Sequence, residues 1–233
     1  MIREGCAVAA GMTSVGFIGS GMIGSTVARL SVAAGHQVIL SNSRGPETLK
    51  GLVDELGPLA RAATSAEAGA AGDLAVVSVP LHACPHLPAA SLAGRAVLDT
   101  GNYYPQRDDQ IPEIDSGSLT SSEWLHRHLP GAAVVKVFNN IYFRHLGSLT
   151  RPAGAADRTY LPIAGDDAAA KSAVTQFLDS IGYGAVDAGT LAESWRQEPG
   201  SPVYGAPYGP FDDAAGHPAS ADAIRAALAA ATR

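Results

Sequence analysis

An apolar run, Val15-Gly16-Phe17-Ile18, enters Gly19-Ser20-Gly21-Met22-Ile23-Gly24 and leaves it as a helical pattern, and few short stretches restrict a fold so tightly. Strand, glycine turn and helix in that order open a βαβ unit whose turn wraps a dinucleotide pyrophosphate. Gly19 permits the tight bend, Gly21 lets the main chain approach the phosphates, and Gly24 lets the helix pack on the strand. The free amides of the new helix face the anion. Three glycines alone are weak evidence; the strand before them and the helix after them matter more.

The spacing predicts a helix from about Gly21 to Ala34, with Gly35 at its C-terminus and Gln37-Val38-Ile39-Leu40 as the next strand. That strand ends in Ser41-Asn42-Ser43-Arg44. Sites for NAD place a carboxylate roughly 20 residues past the glycines, where it bonds the ribose 2′-hydroxyl and repels a 2′-phosphate. Here no carboxylate occurs before Glu47. The hydroxyls, the Asn42 amide and the Arg44 guanidinium are instead what a phosphate needs, so the sequence favours NADP(H) over NAD(H). The plainer alternative is a polar turn from Ser41 to Gly45.

At 233 residues the chain suffices for one large α/β domain, or one with a small companion. A net charge of −6 offers no basic stripe, which argues against nucleic acid as a partner. Two cysteines, Cys6 and Cys84, without CxxC spacing suggest neither a disulfide framework nor a thiolate metal site, and a reducing cytoplasm fits them. No apolar run approaches the ~18 residues of a membrane span. Residues 1–12 are expected to be a short N-terminal extension.

Further strands are expected at Asp73 to Pro80, Ala96 to Thr100 and Ala133 to Phe138, with helical spacing from Glu47 to Leu56. Strands alternating with helices imply a Rossmann-type, doubly wound parallel sheet over 13–145, with ligands gathered at the carboxyl ends of its strands. Those ends fall at Ser41 to Arg44, Val79 to His82, Thr100 to Asn102 (with Gly101 between) and Phe138 to Ile141. Residues 146–233 form a smaller α/β portion. Tyr160 to Gly165 is expected as an edge strand, followed by a helix capped by Asp166 or Asp167 and stopped at Gly182, and by a short strand from Gly184 to Gly189. This unit is either a second domain or an extension of the main sheet. The segment Pro199 to Pro210 must be loop. It is either a tether to a final helix capped by Ser220, or a lid bringing Tyr204 or Tyr208 over a flat ring.

Together with Asn102-Tyr103-Tyr104, Thr120-Ser121-Ser122-Glu123, Lys136-Val137-Phe138-Asn139-Asn140 and Pro162-Ile163-Ala164-Gly165-Asp166-Asp167, these motifs resemble the coenzyme F420-dependent NADP oxidoreductases. Their order is also similar to the cytosolic NADPH-binding domain of the six-transmembrane metalloreductases. The resemblance runs from Thr13 to Gly189. It implies that Gly19, Ser20, Gly21, Met22, Ile23 and Gly24 bind the pyrophosphate, that Ser43 and Arg44 read the 2′-phosphate, that Val79 and Pro80 lie beside the cofactor, and that Phe138, Asn139 and Asn140 border the nicotinamide. Archaeal members carry a His-rich segment where this chain has Phe138-Asn139-Asn140-Ile141, which leaves the hydride acceptor open.

Hydride transfer between a nicotinamide and a flavin-like ring needs no enzyme nucleophile, because both reactive atoms belong to cofactors; the protein stacks the rings and excludes water. Asn139 and Asn140 are the candidates to orient the reacting rings, or else they satisfy loop backbone groups. His82-Ala83-Cys84-Pro85-His86 lacks further closely spaced ligands for a metal, and His82 is expected near the phosphates or ribose. His126 and His128 are expected on a solvated helix face. The sequence thus points to an NADP(H)-dependent oxidoreductase, expected as a homodimer, passing hydride to a small-molecule acceptor, coenzyme F420 or a flavin. Direct reduction of an imine or carbonyl, and NADPH sensing without turnover, are the alternatives.

Overall fold

The computed structural model describes residues 13–233, so the expected extension at 1–12, Cys6 included, lies outside the described residues. Eight strands form one sheet: β1 (Ser14–Ile18), β2 (Gln37–Ser41), β3 (Ala60–Ala62), β4 (Leu74–Val77), β5 (Ala96–Asp99), β6 (Ala133–Lys136), β7 (Tyr160–Gly165) and β8 (Gly184–Asp187). Their order is β3-β2-β1-β4-β5-β6-β7-β8. The first six are mutually parallel, β7 runs antiparallel to β6, and β8 is parallel to β7.

Between the strands lie α1 (Met22–Ala33), α2 (Lys50–Leu56), α3 (Ser65–Ala71), α4 (Ala89–Leu92), α5 (Pro105–Asp108), α6 (Pro112–Asp115) and α7 (Ser121–His128). Then follow α8 (Phe143–Ser148), α9 (Ala168–Ser180) and α10 (Ala221–Ala229). Their ends follow local chemistry. Thr64 and Thr120 begin α3 and α7 with capping boxes closed by Glu67 and Glu123, Asp167 and Ser220 cap α9 and α10, and Gly35 (φ +87°) and Gly182 (φ +94°) follow the helices they terminate. Among the described residues no helix is long and apolar enough to cross a membrane.

Alternate strand residues feed two apolar layers, as the twofold period of a strand requires. Val15, Phe17, Val38, Leu40, Val76 and Leu98 face the layer holding α1 and α9, while Ile18, Ala75, Val77, Val97 and Val134 face the layer of α4 and α7. Each fully buried Val, Leu or Phe contributes about 1.5–3 kcal/mol to this core. Helix α3 lies directly on β1: a Cβ on Gly16 would stand 2.0 Å from the Ala68 carbonyl oxygen, so only glycine admits this contact.

One expectation changes. Strand β7 is interior rather than an edge. Its Pro162 is tolerated because β6 reaches only Ala164 and Gly165, while the Tyr160 amide is taken up by the Ala219 carbonyl at 2.8 Å. Of the two placements left open for the β7–α9–β8 unit, the structure shows the extension of the main sheet.

Candidate active site at the carboxyl ends of the strands

The turn after β1 has the geometry its glycines imply. Gly19 sits at φ +100°, and a Cβ there would lie 2.2 Å from the Ser78 carbonyl oxygen. A Cβ on Gly24 would lie 2.3 Å from the Gly19 oxygen. Gly21 differs: its φ is an ordinary −73° and nothing lies within 4 Å of a Cβ built on it. Gly19 and Gly24 therefore serve the protein's own packing, whereas Gly21 keeps open a space the protein does not fill. That space belongs to a cavity of about 540 Å³. No side chain caps α1 and its first turn carries no acid, so its leading amides are available to an anion. The residues present thus fit a dinucleotide pyrophosphate.

At the end of β2 the Asn42 carboxamide oxygen accepts the Arg44 amide at 2.9 Å, shaping the turn. Ser43 and Arg44 are exposed, and among the described residues no carboxylate engages the Arg44 guanidinium. Among the described residues this cation has no anionic partner, as a 2′-phosphate subsite requires, although Ser20, Asn42, Ser43 and Arg44 lie outside the cavity lining. Met22, Ile23, Val79, Pro80, Gly101 and Asn102 line the cavity beyond Gly21.

Asn139 and Asn140 also wall it, but their NH₂ groups are turned to the protein. Asn139 Nδ2 donates to Asn102 Oδ1 (3.0 Å) and to the Gln197 carbonyl (2.7 Å). Asn140 Nδ2 donates to the Val203 carbonyl (3.0 Å) and the Tyr208 hydroxyl (3.1 Å). Both side chains pin the 197–208 segment against the turn after β6. Phe138 is fully buried at φ +65° and lies outside the cavity lining; its expected contact with the nicotinamide gives way to a core role, its left-handed backbone setting the two asparagines at the wall. His82 is likewise absent from the lining. It turns to the buried Asp108, whose carboxylate lies 3.2 Å from Nδ1. His82 lies within a 3-10 turn, Leu81–His86, that also contains Pro85.

The Pro199 to Pro210 loop is a fixed wall. Val203 and Tyr208 are fully buried, the Gly205 amide donates to the Asn140 carbonyl at 2.9 Å, and Glu198 accepts the Ser121 amide and hydroxyl at 2.9 and 2.6 Å. Tyr208 packs in the core, so Tyr204 alone of the two tyrosines reaches the cavity. Its hydroxyl meets that of Tyr104 at 2.7 Å. Burial, then the bond to Tyr104, push the Tyr204 phenol well above its ordinary pKa, so it keeps its proton at neutral pH.

Several site residues carried no local signal in the sequence. Arg107 stands over the Tyr104 ring, 5.0 Å from its centroid, and donates to the Asn102 carbonyl at 2.7 Å. Tyr142, Phe143 and Phe211 complete an aromatic mouth. Phe211 and Met22, the two large apolar side chains left exposed among the described residues, both stand on this rim. Behind the cavity Lys136 is wholly buried, its Nζ donating to the Gly101 carbonyl, Ser121 Oγ and Ser122 Oγ at 3.0 Å each, and 3.5 Å from the buried Asp99 carboxylate. Lys136 was legible only as part of a motif; its pairing with Asp99 depends on the β5–β6 register.

Fold and glycine turn define a Rossmann-type sheet whose site fits a dinucleotide. Residues 14–103 match the family of NADP oxidoreductases dependent on coenzyme F420. The metalloreductase STEAP3 of Rattus norvegicus is 28% identical over 187 residues, which is 79% of this chain and 35% of the relative. The chain thus spans about a third of that relative's length. A solved hypothetical protein of Sinorhizobium meliloti superposes with a TM-score of 0.71 at 29% identity, covering 84% of this chain and 94% of the other. An Arthrobacter sp. FB24 structure described as a candidate F420-dependent NADP reductase gives 0.66 at 25% identity, covering 80% and 88%.

Proposed function

We propose that this chain transfers hydride between NADPH and a flat, flavin-like acceptor, coenzyme F420 first among them. The observation that carries this is the shape of one cavity, which starts at the open glycine Gly21 and ends in a mouth of Tyr104, Tyr142, Phe143, Tyr204 and Phe211. Aromatic walls of this kind suit a planar ring. The Arthrobacter protein's description supports the same acceptor class.

Bound NADPH supplies the hydride. The chain's own residues do the rest. The α1 amides and Gly21 hold the pyrophosphate, and Ser43 with Arg44 holds the 2′-phosphate. Val79, Pro80, Gly101 and Asn102 form one side of the slot for the nicotinamide, and the asparagine-pinned turn forms the other. The aromatic mouth stacks the acceptor and keeps water from the reacting atoms.

The test is NADPH oxidation by purified protein with oxidised F420 and, in parallel, FMN, FAD and a cyclic imine. Turnover with F420 supports the proposal. Turnover confined to FMN or FAD retains the ring class and replaces the named acceptor, and turnover of the imine alone overturns it.

A further inference from the structure

An acceptor ring that receives a hydride also takes up a proton, and that proton needs a donor on the wall where the ring sits. The cavity lining among the described residues offers phenols, two aliphatic hydroxyls, amides and one guanidinium. Phenols are the strongest neutral acids in that set. Tyr104 and Tyr204 differ from the third phenol, Tyr142, in one respect: their hydroxyls are paired, at 2.7 Å. Tyr142 has its ring against Phe143, His145 and Phe211, and its hydroxyl has no hydrogen-bond partner among the described residues.

The pair is built for proton passage. Two residues 100 positions apart reach each other from α5's N-cap and from the loop before the last helix. Both are half-buried, so one hydroxyl can face a bound ring while the other stays in touch with solvent. The Arg107 guanidinium over the Tyr104 ring holds a positive charge beside any phenolate that forms there. Arg107 is itself fixed by the Asn102 carbonyl at 2.7 Å and the Asp108 carboxylate at 2.7 Å.

We infer that the Tyr104–Tyr204 hydroxyl pair donates the proton to the acceptor ring, a role that rests on the hydride-transfer function proposed above. The step balances as follows. A C–H bond of the reduced nicotinamide breaks and its electron pair and hydrogen form a new bond at the acceptor ring. The pair displaced within that ring settles on a ring nitrogen. A phenolic O–H bond then breaks as the N–H bond forms, leaving one phenolate. The second hydroxyl passes it a proton from solvent, so NADPH, the oxidised ring and one proton give NADP⁺ and the reduced ring.

The experiment uses Tyr104→Phe and Tyr204→Phe, which keep the rings and remove the hydroxyls. Four quantities are read: the NADPH dissociation constant by fluorescence, kcat with F420 or with FMN if that is the ring turned over, the solvent deuterium isotope effect on kcat, and the absorption band of the oxidised ring bound to NADP⁺-loaded protein. The last needs no turnover. Expected are an unchanged NADPH constant, a fall in kcat on the order of 10²-fold in each variant, and loss of both the solvent isotope effect and the band shift that a phenolic hydrogen bond gives the ring. Wild-type kcat with the wild-type band shift retained in both variants would overturn the assignment while leaving the hydride reaction standing. A fall in kcat matched by weaker NADPH binding, with the band shift retained, would mean a structural role and overturn it too. A wild-type protein that turns over no flavin-like ring would instead overturn the function on which the assignment rests.

Discussion

Ser20 donates its hydroxyl to the carbonyl of Ser41 at 2.9 Å, and the neighbouring Gly19 amide bonds the same oxygen at 3.1 Å. The glycine turn and the end of β2, the proposed 2′-phosphate subsite, are thereby one mechanical unit. Ser20→Ala removes the side-chain half of the link. NADPH affinity is expected to fall by about 0.5–1.5 kcal/mol, measured by fluorescence titration, with no change in thermal midpoint beyond a degree or two.

Arg44→Ala tests the phosphate subsite. With no carboxylate to compensate among the described residues, its guanidinium is available to the ligand, and a charged hydrogen bond of this kind contributes about 1.5–3 kcal/mol. NADPH binding should weaken by that amount and NADH binding should stay nearly constant. Equal losses for both would remove Arg44 from the 2′-phosphate.

The glycines separate ligand space from protein space. Gly21→Val places its side chain in open cavity, so the protein should melt as the wild type does and bind no NADPH. Gly24→Ala drives a methyl to 2.3 Å from the Gly19 oxygen and should cost about 1–3 kcal/mol of stability even without ligand. Denaturant melts of the two variants, beside NADPH titrations, distinguish the cases.

Lys136→Met leaves the buried Asp99 carboxylate without its cation. Ser122 Oγ at 2.6 Å and the Gly101 amide at 2.8 Å still bond Asp99, which places the expected loss at the lower end of such deletions, about 3 kcal/mol by chemical denaturation. Adding Asp99→Asn to Lys136→Met should recover part of it.

Asp108 gives the site wall an acid limit. Burial acts to raise the pKa of this acid, but the Arg107 guanidinium and the Tyr104 and His82 amides outweigh burial and hold it below the usual carboxylate range. A pKa lowered in the folded state contributes stability above the unfolded value, about 3.9, and that stability disappears as pH falls through the lower folded one. Wild type should therefore melt above Asp108→Asn at neutral pH, and the two melting temperatures should converge at the acid end of a pH series.

The nucleotide half was legible in the sequence because local chemistry specifies it: a strand, three glycines with distinct duties and a turn rich in phosphate donors lie within about thirty residues, at 15–44. Strand β3, only Ala60-Arg61-Ala62, has neither length nor apolar alternation to announce it. The direction of β7 depends on which strand it meets, which no local pattern encodes. Arg107 shows the same limit. Nothing beside it in the chain marks it for the site; it arrives there because Pro105 starts a short helix whose buried Asp108 anchors the turn. Asn139 and Asn140 were found by their motif, yet their hydrogen-bond partners lie at 102, 197, 203 and 208, and only the folded chain shows how far the two are committed to the loop.

That commitment divides the molecule's inheritance. The stretch matching the family, 14–103, holds the glycine turn and the turn after β2, while Tyr104, Arg107, Tyr204 and Phe211 all lie after it. Asn139 joins the two parts by bonding Asn102 on one side and the Gln197 carbonyl on the other, and Asn140 adds the Val203 carbonyl and the Tyr208 hydroxyl, so two of the loop's three anchor points are backbone groups present whatever its side chains are. Most of the loop's side chains can therefore diverge, and with them the proposed acceptor, while the proposed source of hydride stays the same.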